Sequence, residues 1–448
     1  MSMKNWVLGL TSLGSLMVSL DALVVATALK TIRHDLGASL AQLEWVVNAY
    51  ALTFAVLLVS GAALGDRYGR RRVFAAGLSL FTLASVGCAL APDVGWLIAA
   101  RAAQGAGSAL VMPLAMALLA ATFPAAERGR ALGLFSGVTG LGVLGGPVLG
   151  GVVTQGLDWP WIFWINVPLG LLAVPLALRR IPESRGAAEP LDPIGLLLLS
   201  AGALGLVWAL IGLSWPGLVL GVAAVAAFLA WESRRAAPLL PLGYFRLRAF
   251  SFGNLSGFLL YGGLYGAVFF LSQFLQSGLG YGPLEAGLRL LPWTGTLFVV
   301  APIAGSLVDR FGERPLLVAG MLLQAVGMGW IALDPGVPYS SMVAPLVIAG
   351  LGVSMAMPAA QNAVIGAVPV TAIGKASGTF NMLRQLGGAF GVATMSLAFS
   401  AAGGYQTFVA ASPPALAVCA AISMGSALSA AFLPARRRSP VAQPAATR

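Results

Sequence analysis

Long apolar runs recur through almost the whole chain, and they constrain its fold more than any other feature. Of the 448 residues, 58% are hydrophobic and only 9% are charged, and the mean hydropathy is +0.88. A soluble domain is about half apolar and about a quarter charged, so the composition predicts a membrane protein. Irregular backbone facing lipid would leave polar groups unsatisfied. We therefore expect an all-α integral membrane protein.

A membrane-spanning helix needs about 20 mostly apolar residues, and fourteen such stretches can be placed along the chain. They begin near residues 6, 42, 73, 95, 129, 160, 194, 215, 250, 284, 315, 340, 372 and 411. The first stretch could also be read as a cleavable signal peptide, but it is too long for one and contains Asp21. We interpret it as the first membrane helix.

The positions of lysine and arginine predict the orientation of these helices. With a cytoplasmic N-terminus, 21 of the 26 basic residues fall in cytoplasmic segments. Only Lys30 and Arg33 then lie outside, while Arg101, Arg289 and Arg384 lie within helices. This asymmetry predicts a protein of the cytoplasmic (inner) membrane with both termini in the cytoplasm. The net charge of +11 is then explained by topology and by contact with anionic membrane lipids, and no nucleic-acid partner is expected.

The chain has few residues of the types that bind metals or catalyse reactions. It contains one histidine, His34, and two cysteines, Cys88 and Cys419, in separate apolar runs, which predict neither a metal site nor a disulfide scaffold. A P-loop needs the pattern GxxxxGK[ST], and Gly374 and Lys375 are followed by alanine. We expect no cofactor, no ATP-driven transport and no enzyme activity.

A charged stretch, GDRYGRRR at residues 65–72, is repeated within GSLVDRFGERP at residues 305–315. The shared residues are Asp66, Arg67, Gly69 and Arg71 in the first copy, where Arg70 precedes Arg71, and Asp309, Arg310, Gly312 and Arg314 in the second. If helices 1–6 and 9–14 form two blocks, each copy follows the second helix of its block. A turn that is merely rich in positive charge is the alternative interpretation.

The repeat divides the chain into four segments. Residues 1–180 are expected to form a six-helix half, residues 181–249 to contain inserted helices 7 and 8, residues 250–434 to form a second six-helix half, and residues 435–448 to be a basic cytoplasmic tail. The predicted fold is thus two pseudo-symmetric six-helix bundles with two inserted helices. Transporters that rock about a central site use parallel repeats of this kind.

A glycine-rich stretch, GVTGLGVLGGPVLGG, occupies residues 137–151 of the fifth helix. Gly142, Gly146 and Gly150 recur every four residues and share one helix face, with Pro147 and Gly151 beside them. Small residues at this spacing allow two helices to approach closely. Tight helix packing alone is the alternative to a specific functional role.

Two ionisable residues are expected deep within the membrane. At 1.5 Å per residue, Asp21 lies about 13 Å and Arg101 about 8 Å from the outer surface. A carboxylate at that depth is costly unless it is paired, hydrated or protonated, and such residues are functional by default. The similar depths permit a direct or water-bridged ion pair, whose protonation could drive exchange of a substrate. A static structural pair is the alternative.

Other polar and aromatic residues within the helices are candidates to line a substrate cavity. The ten residues selected are Asn48, Tyr50, Gln104, Asn254, Tyr261, Tyr265, Trp293, Gln361, Asn381 and Arg384. An apolar pocket with few polar groups and aromatic walls suits amphipathic molecules, although many such residues form only interhelical hydrogen bonds. Arg384 could equally extend toward the cytoplasmic surface.

These motifs resemble those of the major facilitator superfamily, and in particular its fourteen-helix drug:proton antiporter branch, over nearly the whole length. The loop matches the family signature from Leu64 through Arg71, except that Ala62 replaces the leading glycine. The glycine string resembles the family's antiporter motif, and LEWVVNAYAL at 43–52 and WIFWINVP at 161–168 resemble stretches of this branch. The resemblance implies conformational gate residues in the two loops and export rather than uptake.

The resemblance also implies proton coupling at Asp21 and Arg101, with protons as the coupling ion. The first-helix motif departs from the family pattern at Leu23, Ala26 and Lys30, where threonine, asparagine and proline are usual. The cores of helices 10 and 13 lack acidic residues, which favours monocationic, zwitterionic or neutral amphiphiles over dications.

The resulting prediction is a proton-driven exporter of amphipathic drugs, antibiotics or dyes. A periplasmic adaptor is an expected partner if the host has an outer membrane. The alternative is an exporter of one metabolite, self-made natural product or lipid.

Overall fold

The computed structural model describes residues 2–186, 192–235, 238–240, 242–333, 338–369 and 372–435, and within these ranges the regular structure is helical. The prediction of an all-helical membrane bundle is confirmed. Its α-helices are α1 Met3–Leu36, α2 Leu40–Tyr68, α3 Arg70–Ala89, α4 Val94–Thr122, α5 Ala125–Gly156, α6 Trp161–Trp164, α7 Asn166–Arg180, α8 Pro193–Gly212, α9 Trp215–Glu232, α10 Arg248–Gln273, α11 Pro283–Arg289, α12 Leu291–Thr294, α13 Thr296–Phe311, α14 Glu313–Leu333, α15 Tyr339–Ile365, α16 Ile373–Ala401 and α17 Phe408–Ala431.

Twelve helices in the described ranges are long and apolar enough to cross a membrane, compared with the fourteen spans predicted. One of the other two predicted stretches is broken into α11, α12 and α13. Pro292 and Gly295 lie at that break, and proline removes a backbone donor from a helix. The other stretch is α16, a single helix of 29 residues whose apolar character is reduced by Asn381, Arg384 and Gln385.

Short connections place successive long helices antiparallel, so the bundle has two ends. We call the end that carries residues 65–72 and 305–315 the motif face, and the end that carries the turns at 37–39 and 90–93 the opposite face. On the opposite face Ser39 forms a capping box with Gln42 at the start of α2. Each end therefore has a fixed set of loops.

Helix packing in the first half is repeated in the second half. In the first half α1 packs on α5, α2 on α4, and α3 on both α4 and α7. In the second half α10 packs on α16, α13 on α15, and α14 on both α15 and α17. The same order of partners recurs, while α8 and α9 pack on each other and α8 contacts α2 and α16.

At the opposite face one apolar cluster spans the two halves. At the motif face each half has a separate apolar cluster. One cluster at the opposite face includes both Leu29 of α1 and Leu271 of α10. At the motif face, Phe74 belongs to a cluster within the first half and Phe380 to a cluster within the second half. In addition, α2 packs along α16 with α8 beside them, and we call this contact the α2–α16 seam.

The glycines of α5 bring that helix against α1. A methyl group on Gly142 would lie 3.0 Å from the backbone nitrogen of Leu20, and one on Gly146 would lie 2.9 Å from Cβ of Leu23. The last glycine of the string, Gly151, instead approaches the second half, where its methyl group would lie 2.5 Å from the carbonyl oxygen of Pro283. The glycine string thus packs both on α1, the helix that carries Asp21, and on the second half of the bundle.

We predict that Gly150→Ala destabilises the protein. The added methyl group would meet Thr27 Oγ1 and lie 2.6 Å from the carbonyl oxygen of Val24, and overpacking of this kind costs about 1–3 kcal/mol. The measurement is thermal unfolding in detergent. Gly140→Ala is the control, because no atom lies within 4 Å of its added methyl group. Equal melting temperatures for the two variants would contradict this account of the packing.

Candidate functional site

The first half contains a buried ion pair between Asp21 of α1 and Arg101 of α4. The two side chains are 0% and 1% exposed, and Arg101 Nη1 donates to Asp21 Oδ2. Asp21 Oδ1 accepts from Gln104 Nε2 at 2.7 Å and from Asn166 Nδ2 at 3.2 Å. Both carboxylate oxygens therefore have partners, as a buried charge requires.

The guanidinium of Arg101 has further partners that fix its position. Its Nε donates to the carbonyl oxygen of Val46 at 3.2 Å, and its Nη1 also donates to Gln104 Oε1 at 2.7 Å. Gln104 Nε2 donates in turn to Ser85 Oγ at 2.9 Å. The network thus draws on α1, α2, α3, α4 and α7, all of which belong to the first half.

Tyr50 of α2 lies between this network and the centre of the molecule. The guanidinium carbon of Arg101 is 4.2 Å from the centroid of the Tyr50 ring, close enough for a cation–π contact. The Tyr50 hydroxyl donates to the carbonyl oxygen of Val18 at 3.1 Å and lies 2.9 Å from Ser108 Oγ. Tyr50 also lines a central cavity between the halves.

Two helices from each half line the central cavity. Its wall is mostly apolar, with few polar groups, as is typical of small-molecule sites. Its lining residues are Ala22, Leu23 and Ala26 of α1, Val47, Asn48, Tyr50 and Ala51 of α2, Tyr265, Val268 and Phe269 of α10, and Gln385, Gly388, Ala389 and Val392 of α16. The amide of Asn48 and Oε1 of Gln385 are buried there, and neither has a hydrogen-bond partner in the part of the chain that the structure describes.

Three of the ten residues selected from the sequence, Asn48, Tyr50 and Tyr265, line this cavity, and the other seven do not. Gln104 is held by the ion-pair network, and Trp293 is buried at the break between α12 and α13. The amides of Asn254 and Asn381 donate to the carbonyl oxygens of their own helices, at Phe250 and Ser377. Gln361 lies near the motif-face end of α15. These residues therefore do not line this cavity, since most of their polar groups have partners elsewhere, and their role in substrate binding stays a prediction.

Arg384 and Tyr261 are the last two of the seven selected residues that do not line the cavity, and they lie beside its wall. The guanidinium carbon of Arg384 is 5.2 Å from the Tyr261 ring centroid, and the Tyr261 ring is 6.0 Å from that of Tyr265. Among the described side chains, Arg384 forms no ion pair, and its Nε is buried without a hydrogen-bond partner. Arg384 therefore differs from the fully paired Arg101.

The two copies of the repeated loop have the same backbone turn. Gly69 separates α2 from α3 at φ +110°, and Gly312 separates α13 from α14 at φ +85°. Glycine adopts such left-handed angles without strain, which explains why both copies place it between two helices. Arg70 Nε donates to Asp66 Oδ1 at 2.7 Å, and the guanidinium of Arg310 lies 5.3 Å from the Phe311 ring.

The segment after α7 holds the first copy of the loop. The backbone nitrogen of Arg70 donates to the carbonyl oxygen of Ser184 at 2.9 Å, and that of Arg71 donates to Glu183 Oε1 at 2.9 Å. Arg67 stacks its guanidinium 5.6 Å from the Tyr68 ring. In the described ranges, the hydrogen bonds and ion pairs of this copy therefore stay with residues 181–186 rather than reaching the second half. The side chain of Asp309 lies outside the described residues.

Hydrogen bonds between the halves occur at the opposite face, where the sequence had not indicated them. Lys30 Nζ donates to the carbonyl oxygen of Gln276 at 2.8 Å, and Gln276 Nε2 donates to that of Thr27 at 3.0 Å. Ser272 Oγ donates to the carbonyl oxygen of Ala26 at 3.0 Å. The available signal was the departure from the family pattern at Lys30, since a proline there would lack this side-chain donor.

Two carboxylates were also missed. Glu183 joins Arg71 and Arg72 at the motif face, with nitrogen-to-oxygen distances of 3.6 and 3.7 Å. Glu44 is 2% exposed on α2, and its Oε2 has no hydrogen-bond partner. Glu44 stands within the quoted stretch LEWVVNAYAL, where an acid in an apolar helix was a visible signal.

We predict that the Asp21–Arg101 pair is strongly coupled in stability. Arg101→Gln leaves the buried carboxylate without its counter-ion and should cost about 3–5 kcal/mol. Asp21→Asn combined with Arg101→Gln removes both charges and should unfold at a higher temperature than Arg101→Gln alone. The measurement is a double-mutant cycle of thermal unfolding in detergent. Additive losses would show that the pair is not a coupled unit.

Comparison with known proteins agrees with this architecture. The family model described as Major Facilitator Superfamily matches residues 11–392, with a second match over residues 253–448. The chain is 36% identical over 400 residues to the tetracenomycin C resistance and export protein of Streptomyces glaucescens, covering 86% of this chain and 74% of that protein. It is 37% identical over 412 residues to the puromycin resistance protein of Streptomyces alboniger, covering 87% and 81%.

Solved structures share the fold at low sequence identity. A D-xylose-proton symporter aligns with a TM-score of 0.70 and 18% identity, covering 97% of this chain and 99% of that one. A peptide-bound POT family transporter aligns with a TM-score of 0.72 and 17% identity, covering 94% of each chain. These likenesses concern the fold alone. The family match and the two curated relatives establish that this multi-pass membrane protein belongs to the Major Facilitator Superfamily.

Proposed function

We propose that the protein exports amphipathic small molecules in exchange for protons by alternating access. The observation that carries the proposal is the position of Tyr50, whose ring contacts Arg101 and also lines the central cavity. A change in the Asp21–Arg101 pair can therefore reach a bound substrate through one side chain. Asp21 and Ala22 are also neighbours on α1, and Ala22 lines the same cavity.

Protonation of Asp21 is the proposed coupling step. A proton on the carboxylate removes the negative charge that pairs with Arg101. The guanidinium then loses its counter-ion. Its contact with the Tyr50 ring and its hydrogen bond to the carbonyl oxygen of Val46 on α2 change as a result. Because the pair ties α1 to α4, the relative position of these helices can shift between two states. Substrate and proton thus compete through the same network.

The arrangement of the two halves supports alternating access. Buried packing and hydrogen bonds connect them at the opposite face, whereas each half has its own cluster at the motif face. The basic residues around the motif face favour its placement in the cytoplasm. In this state the cavity would receive substrate from the cytoplasm, and in the other state Asp66 and Arg70 would link the halves as the gate.

The proposed topology has fourteen membrane spans with both termini in the cytoplasm. The broken segment α11–α13 and the less apolar α16 count as spans because each occupies, in the second half, the place that α2 or α5 occupies in the first. The proposed division of the chain remains at residues 180, 249 and 434, and residues 436–448 of the tail lie outside the described ranges. The inner membrane is the proposed location, and lipids and a conditional periplasmic adaptor remain proposed partners.

The cavity and the relatives favour an antibiotic or another drug-like molecule as substrate. The wall combines Leu23, Val268 and Phe269 with the amide of Asn48 and Oε1 of Gln385, which have no partner among the described residues. This combination fits an apolar body with a few polar groups. Two similar proteins are described as resistance proteins for tetracenomycin C and puromycin. Export of a single self-made product is the second candidate, since one of these is also described as an export protein.

We predict that Asp21→Asn abolishes proton-driven efflux. The amide can still accept hydrogen bonds but cannot exchange a proton. The measurement uses membrane vesicles with an imposed proton gradient and a panel of fluorescent dyes, with and without an uncoupler. Dye movement should stop with the uncoupler and with the variant at unchanged expression.

Asp35→Asn is the matched control for this experiment. Asp35 lies on the same helix with its side chain 43% exposed, and among the described side chains it pairs with the neighbouring His34. It should transport like the wild type. Intact efflux by Asp21→Asn would contradict the assigned coupling role. Movement of one metabolite or lipid, but of no dye, would favour the second candidate function.

We predict that Lys30→Met shifts the protein toward a state open at the opposite face. The substitution keeps an unbranched apolar stem but removes the donor to the Gln276 carbonyl oxygen, which contributes about 1.5–3 kcal/mol when the donor is charged. The measurement is the labelling rate of a cysteine introduced at Thr27, whose side chain is buried at this contact. Labelling should be faster in the variant, and an unchanged rate would contradict the role of Lys30.

A further inference from the structure

Glu44 is a buried carboxylate that the coupling network around Asp21 does not use. It lies on α2, one helical turn before the cavity residue Asn48, on the side toward the opposite face. Its exposure is 2%, and Oε2 is buried without a hydrogen-bond partner among the described residues. It therefore contrasts with Asp21, whose two oxygens accept from Arg101, Gln104 and Asn166.

Glu44 stands where the two halves meet. Across the α2–α16 seam it lies against the hydroxyl of Ser396 of α16, its one neutral hydrogen-bonding neighbour, although the pair falls short of full hydrogen-bond geometry among the described residues. The ionisable groups near it are Tyr405, from the segment before α17, and Arg33 of α1, whose guanidinium stacks 3.7 Å from the Tyr405 ring. Among the described side chains, neither forms an ion pair or a hydrogen bond with Glu44. Closure at the opposite face thus buries this carboxylate without a counter-charge.

Burying a carboxyl group in such a place costs much free energy when the group is ionised and little when it is protonated and neutral. If the opposite face opens, α2 and α16 part and water reaches the group, so the anion is then solvated. The protonation state of Glu44 and the closure of this face are therefore linked. The protonation of Asp21 is not linked to closure in this way, because its hydrogen-bond partners Arg101, Gln104 and Asn166 all belong to the first half.

We propose that Glu44 is a second proton-binding residue, whose protonation allows the two halves to close at the opposite face. The proposal rests on the proposed proton-driven alternating access and adds a named carrier to it. The proton binds a carboxylate oxygen of Glu44 when this face is open and is carried inward as the face closes. Release follows toward the cavity, one turn away at Asn48. Asp21 and Glu44 then serve different parts of one cycle.

The test measures the distance between two spin labels across the opposite face as a function of pH. Leu90→Cys at the end of α3 and Leu333→Cys at the end of α14 are suitable sites, since these residues are 64% and 86% exposed, while the native Cys88 and Cys419 are buried. In the wild type the ratio of open to closed molecules should rise with pH, by up to about tenfold per pH unit for one linked proton.

Glu44→Gln should stay closed at every pH, because the neutral amide never ionises. Glu44→Asp should keep a pH dependence but with a shifted midpoint, because the shorter side chain moves the carboxylate relative to the seam. Asp35→Asn, which removes an exposed carboxylate on the same face, should match the wild type. A wild-type ratio that does not respond to pH would overturn proton-driven alternation itself. A responsive wild type with an identical Glu44→Gln profile would overturn only the role of Glu44. If Glu44→Gln fails to fold, an unshifted Glu44→Asp profile overturns that role equally.

Discussion

The buried ion pair between Asp21 and Arg101 is the interaction on which the first half depends. Two opposite charges at 0% and 1% exposure are tolerable in a membrane protein only when both are paired and hydrogen-bonded. Gln104 and Asn166 complete the shell of Asp21, and Tyr50 covers the face of Arg101. The pair therefore fixes how α1, α2, α4 and α7 meet, and it places a protonatable group next to the central cavity.

The contacts between the halves determine which end of the bundle is closed. Gly151 against Pro283 and Lys30 with Gln276 connect the halves at the opposite face, and the apolar cluster there spans both. At the motif face the loop around Asp66 is instead held by residues 181–186. In the proposed alternating access, a rocking motion would exchange these two sets of contacts, and the loop and the opposite-face hydrogen bonds would act as complementary parts of one switch.

Features that repeat along the chain were predictable from the sequence. Apolar length located the helices, the matching loops at 65–72 and 305–315 indicated duplication, and the similar depths of Asp21 and Arg101 indicated that they could meet. Contacts between distant positions were not predictable. Lys30 and Gln276 are 246 positions apart, and nothing local indicates that Glu44 lies in a seam between halves. Seven of the ten cavity candidates lie outside the lining of the central cavity, since hydropathy does not show which face of a helix a polar residue occupies.

The central claim is that proton and substrate compete through the Asp21 network. Its most direct test is proton release when a transported dye binds to purified protein in weakly buffered detergent solution, followed with a pH indicator. The account predicts that the wild type releases protons on dye binding and that Asp21→Asn releases fewer while still binding the dye. Binding without proton release by the wild type, or equal release by Asp21→Asn, would contradict it.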